Sequence, residues 1–132
     1  VSNASQPERI SDAEQAVMEA VWSAGRPIGA ADVAKAVGEE RDWSLATVKT
    51  LLSRLVAKDA LAAQPEGRRF LYTARIERAD FVGRESKRLV ERLFGGRAAS
   101  LVAHLAEAEA LSAKDIAEIE VLLKGLKKDA GR

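Results

Sequence analysis

Cysteine is absent from the 132 residues, and histidine occurs once, at His104. The first absence excludes disulfides, thiol nucleophiles and cysteine-rich metal sites together. The second leaves too few ligands for a histidine-based zinc site. No Asp/Asn-rich loop of the calcium type occurs either. Aromatic residues make up only 5% of the chain. No window approaches the roughly 18 consecutive apolar residues of a membrane span, and "VSNASQPERI" has no apolar core of the signal-peptide type. Residues 1–9 read as a flexible leader. The expectation from this inventory is a cytoplasmic chain that is not an enzyme, with no cofactor, no metal and no membrane partner.

Formal net charge is only +1, but its distribution is uneven. Residues 8–42 carry eight acidic against four basic side chains, a balance of −4. Residues 43–75 carry six basic (Lys49, Arg54, Lys58, Arg68, Arg69, Arg75) against Asp59 and Glu66, a balance of +4. A chain polarised in this way points its positive part toward an anionic partner.

Helical spacing accounts for most of the first 60 residues. "SDAE" is a capping box, with Ser11 at the N-cap and Glu14 three residues on. Val17, Met18, Val21 and Trp22 follow, and Gly25 closes the first helix. Ile28 suits a small edge strand, and a short second helix over about 30–37 is expected to stop at Gly38. A third helix starts at Ser44, behind Trp43, and runs to about Lys58. "LAAQ" and "FLYT" then flank the turn "PEGR" as two short antiparallel strands. Helix–helix–helix–hairpin is the order of a winged helix-turn-helix. The fold expected is mainly α with a small β-hairpin, with a winged-helix domain over 10–76 and a helical dimerisation region over 77–132.

That second region reads as helix throughout, broken at Gly95-Gly96 and restarted by "SAKD" with Ser112 as N-cap. Ile116, Ile119, Leu123 and Leu126 form a coiled-coil-like seam. Helices this short form a poor core alone. Phe81, Leu89, Leu93, Leu101, Leu105, Ile116, Ile119, Leu123 and Leu126 are therefore the expected homodimer interface.

The third helix has two unlike faces. Leu45, Val48, Leu51, Leu52, Leu55 and Val56 fall in one arc. Ala46, Thr47, Lys49, Thr50, Ser53, Arg54 and Ala57 fill the other, without a carboxylate. Solvent-facing helices usually mix Glu with Lys. Small, hydroxylated and positive residues instead suit close approach to the major groove of double-stranded DNA. Arg68 and Arg69 at the hairpin turn are placed to reach phosphate or the minor groove.

"ISDAEQAVMEAVW", "DWSLATVKTLLSRLVAKDAL" and "GRRFLYTA", in that order, resemble the penicillinase repressors, the BlaI/MecI family with its copper-responsive CopY branch. The resemblance runs from about Ile10 to Leu126, and "SLVAHLAEAEALSAKDIAEI" matches the layout of the family's dimerisation arm. It implies a homodimeric winged-helix transcriptional repressor of a near-palindromic operator. The family's DNA contacts fall on Thr47, Lys49, Thr50 and Arg54, with Arg68 and Arg69 in the wing. Ser44 joins them as the residue that opens the third helix. Ala46 stands where relatives commonly carry a basic side chain. A sensor-linked protease is implied as a further partner, with cleavage at His104–Leu105, although the asparagine-phenylalanine pair of the best-studied pattern is missing. The cysteine-rich copper site of the CopY branch has no counterpart here. His104 keeps two readings, a scissile-site or pH-sensitive residue and a plain polar residue on the outer side of a short helix. A winged-helix module that binds protein and a small-ligand-sensing regulator stand as the rival functions.

Overall fold

The fold follows from where capping residues interrupt the helical pattern. The structure is a computed structural model that describes residues 9–131, so most of the expected leader lies outside the described residues. Helix α1 spans Asp12–Ala24, opened by the full Ser11–Glu14 capping box and closed by Gly25 in the left-handed region at φ 64°. Strand β1 is the two-residue Ile28–Gly29. Helix α2 spans Ala30–Arg41 and runs straight through Gly38. The expected stop at Gly38 is corrected: Asp42 takes the left-handed turn at φ 49° and donates its N–H to the Gly38 carbonyl. Asp tolerates that conformation because its short polar side chain bonds locally.

Helix α3 spans Leu45–Ala57, with the Ser44 side chain accepting from the Thr47 N–H and Lys58 at the C-cap. Strands β2 (Leu61–Glu66) and β3 (Arg69–Ala74) are longer than "LAAQ" and "FLYT" alone. Pro65 and Glu66 are thus strand rather than turn. They pair with Phe70 and Arg69, leaving only Gly67 and Arg68 in the connection. Gly67 sits at φ +64°, the positive φ that a tight two-residue hairpin requires. The sheet order is β1-β3-β2, all antiparallel. Helices α4 (Arg78–Phe94), α5 (Ala98–Glu107) and α6 (Ala113–Ala130) complete the chain.

Two compact units divide between Val82 and Gly83, six residues past the expected 76/77 boundary. The first turn of α4 belongs to the first unit for definite reasons. Arg78 makes a two-pronged ion pair with Glu19 of α1 at 2.8 and 3.0 Å. Phe81 stacks obliquely on Trp22 at 5.6 Å between centroids. The Trp22 indole N–H donates to the Ile76 carbonyl at 3.0 Å. The core of this unit comprises Val17, Met18 and Val21 of α1, Ile28, Val33 and Val37, the inner face of α3, Ala60, Leu61 and Tyr72.

One charge is buried inside it. Glu14 is 1% exposed, and its Oε1 accepts from Lys58 Nζ at 2.6 Å and from the Ser11 N–H at 2.8 Å. Lys58 Nζ also donates to the Arg9 carbonyl at 2.7 Å. Burial pushes the Glu14 carboxyl up, but the bonds from Lys58 and Ser11 outweigh it and hold the group below its usual value. A carboxylate depressed in the folded state stabilises the fold above its unfolded value, and that stability is lost as pH falls through the folded one. Lys58→Met should therefore lose about 3 kcal/mol at neutral pH, because a buried charge is left alone. Urea titrations at pH 7 and below 4.5 check this, and the gap between variant and wild type should narrow in acid.

Candidate nucleic-acid interface

Helix α3 is half core and half surface. Val48, Leu51, Leu52 and Leu55 are buried, whereas Leu45, expected on the inner face, is exposed because it lies in the first turn beyond the core. Ala46, Thr47, Lys49, Thr50, Ser53, Arg54 and Ala57 are all exposed. Lys49, Thr50, Ser53, Arg54 and Ala57 line one shallow hollow. The first turn of α3 holds no acidic residue, unlike the first turns of α1 and α6. Its N-terminal partial positive charge therefore stays uncompensated, as suits an anionic partner.

Hydrogen bonds fix what the hydroxyls offer. Ser44 Oγ accepts from the Thr47 N–H at 3.1 Å and shares a 3.0 Å bond with Thr47 Oγ1, so its first role is to cap the helix. The Thr50 hydroxyl donates back to the Ala46 carbonyl at 3.1 Å. With that hydrogen committed, the exposed Thr50 hydroxyl can only accept from a partner.

The fold also sorts the six basic residues of 43–75. Lys58 is held by Glu14, and Arg75 pairs with Asp59 at 3.2 Å. Arg69 lies 4.0 Å from Glu66. Its side chain also crosses Gly29 so closely that a Cβ there would meet its Nη1 at 3.5 Å. Among the described residues, Lys49, Arg54 and Arg68 have no carboxylate partner. The excess positive charge is thus presented on the outer face of α3 and at the hairpin turn. The residue that sequence reasoning missed is Phe70, 51% exposed beside those arginines. It shares a side of β3 with the buried Tyr72 but stands two residues nearer the hairpin turn.

Not one of residues 83–131 is buried. Leu93, Leu105, Ile116, Leu123 and Leu126 are exposed, as are Val102, Val121 and Leu122, which lay outside the expected interface. Leu89, Leu101 and Ile119 are half-buried. Phe81 is a correction: at 4% exposure against Trp22 it belongs to the core of its own first unit, so it has no face for a partner. His104 is exposed. Its Nδ1 bonds the Ser100 carbonyl at 2.9 Å, which makes it the protonated nitrogen, and its ring lies 5.2 Å from that of Phe94.

A capped helix with an acid-free outer face, beside an arginine-bearing hairpin, defines a winged helix-turn-helix protein of the DNA-binding class. The sequence family described as penicillinase repressor matches residues 10–125. The penicillinase repressor of Bacillus licheniformis is 34% identical over 116 residues, covering 88% of this chain and 90% of that protein. The methicillin resistance regulatory protein MecI of Mammaliicoccus sciuri is 31% identical over 114 residues, covering 86% and 92%. The solution structure of the DNA-binding domain of the repressor BlaI superposes with a TM-score of 0.51 at 39% identity, covering 57% of this chain and 90% of that one. The chain belongs to the penicillinase repressor family, a family of winged-helix transcriptional repressors.

Capping and contact are separable at Ser44. Ser44→Ala should lower stability by about 1 kcal/mol through the lost cap, whereas Ser44→Asp should restore it. Thermal melts of both variants measure this without DNA.

Proposed function

We propose that this chain is a homodimeric transcriptional repressor that reads a near-palindromic operator through the outer face of α3 and its wing. The observation that carries the reading is that Lys49, Arg54 and Arg68 have no carboxylate partner among the described residues, on an otherwise small, acid-free surface. Thr47, Lys49, Thr50 and Arg54 lie in the major groove, with Ser44 at the entrance and Arg68 and Arg69 on the backbone. A winged-helix module that binds protein has no need of that unpaired charge. The dimer is supported by the second unit, whose large apolar side chains stay exposed in a single copy and need a partner surface to bury them. Release by proteolysis at His104–Leu105 belongs to the same reading. Both residues are exposed, and α5 buries nothing, so the local opening a protease requires costs little.

Fluorescence anisotropy on the chain's own upstream DNA, against a scrambled duplex and across a salt series, tests the reading. Preference for the native fragment with a steep salt slope is expected; equal weak binding to both would sink it. Lys49→Ala should cost about 1–3 kcal/mol on the operator if it reads a base, and should weaken all sequences alike if it touches only phosphate. Leu123→Glu should shift the dimer toward monomer in analytical ultracentrifugation. A dimer indifferent to that charge would contradict the α6 seam.

A further inference from the structure

We propose that Phe70 is a further DNA-contacting residue, its ring laid against the apolar deoxyribose wall of the groove that the wing enters. The inference rests on the operator-binding reading and adds to it a contact that is not electrostatic.

Strand alternation places the ring. Ala74, Tyr72 and Phe70 share one side of β3, and their partners Leu61, Ala63 and Pro65 share that side of β2. Leu61 and Tyr72 lie in the core, so this is the side that faces the helices. Two residues beyond Tyr72 the core has ended, and Phe70 stands opposite Pro65 with half its surface in solvent. Neither of the described ring–ring contacts involves it. Pro65 suits the edge strand β2, since an edge position need not supply a ladder N–H.

The neighbouring charges identify the partner. Arg68 occupies the turn, exposed and without a carboxylate among the described residues, while Arg69, on the other side of β3 from Phe70 by alternation, lies 4.0 Å from Glu66. The wing therefore offers an unpaired cation at its turn and an exposed apolar ring two residues along. A duplex backbone matches both, since phosphate oxygens alternate with apolar sugar faces. An apolar protein surface would leave Arg68 without a partner.

The test is operator binding by anisotropy across a salt series for wild type, Phe70→Ala, Phe70→Leu and Arg68→Ala, with melting temperatures read alongside. Phe70→Ala is expected to weaken binding by about tenfold with the wild-type salt slope, because loss of an apolar contact releases no counterion. Phe70→Leu should fall between the two, and it carries the test if the alanine variant loses the hairpin. Arg68→Ala should instead flatten the slope by about one unit per phosphate contact. Wild-type affinity in both Phe70 variants overturns the proposal, as does a changed salt slope, which would mean that the ring acts through Arg68. A shift in dimer equilibrium at unchanged DNA affinity overturns it too, by assigning the ring to a second copy. Failure of the wild type to prefer its operator is a different result and removes the repressor reading itself.

Discussion

Val48, Leu51, Leu52 and Leu55 form the inner side of α3, and α1, α2 and the sheet close over them. That burial removes one face of the helix from water at roughly 25 cal/mol per Å² of apolar surface. It also fixes the rotation of α3 about its own axis. Once the inner face is committed, Ala46, Thr47, Lys49, Thr50, Ser53, Arg54 and Ala57 must point outward. The make-up of the outward face is therefore a by-product of core packing. Substitutions on that outer face leave the fold largely alone, and an inner-face change would rotate or loosen the outward one.

Charge is managed on the same principle. The cations that serve the fold are each given a carboxylate: Lys58 by Glu14, Arg78 by Glu19, Arg75 by Asp59. Those on the outer face of α3 and in the hairpin turn are left without one. An exposed ion pair contributes little to stability, so leaving Lys49, Arg54 and Arg68 unpaired costs the fold almost nothing. It keeps their full charge for a polyanion, whose binding is driven by counterion release. The Glu14–Lys58 pair differs because it is buried. It ties the start of α1 to the end of α3, so that α3 is held at both termini, by Lys58 at one and Ser44 at the other.

The two units solve the burial problem in opposite ways. The first closes a core around α3, whereas the second buries no side chain in a single copy. Its exposed residues extend past the 116–119–123–126 seam to Val121 and Leu122 on other parts of α6. A single two-helix seam does not reach all of these, so the apolar surface that a second copy would cover is broader than a heptad pattern suggests.

Much of this was legible in the residues. Ser11 with Glu14, Ser44, and Ser112 with Asp115 announced three helix starts, since caps are local chemistry and need no tertiary context. The alternation of core and surface on α3 was legible for the same reason, as helical periodicity is a property of the backbone. The hidden parts depended on distant contacts. Gly38 looked like a stop, but Asp42 could take the turn instead. Phe81 looked like an interface residue until Trp22, 59 positions earlier, was found against it. Which arginines were free depended on carboxylates brought up by the fold, and the exposure of Phe70 depended on where the core ends, which strand alternation does not say. The sequence alone determined the helices, their caps, the inner and outer faces of α3 and the family. Only the tertiary structure decided which charges and which aromatic ring remain unpartnered, because that depends on what the folded chain brings within reach of each side chain.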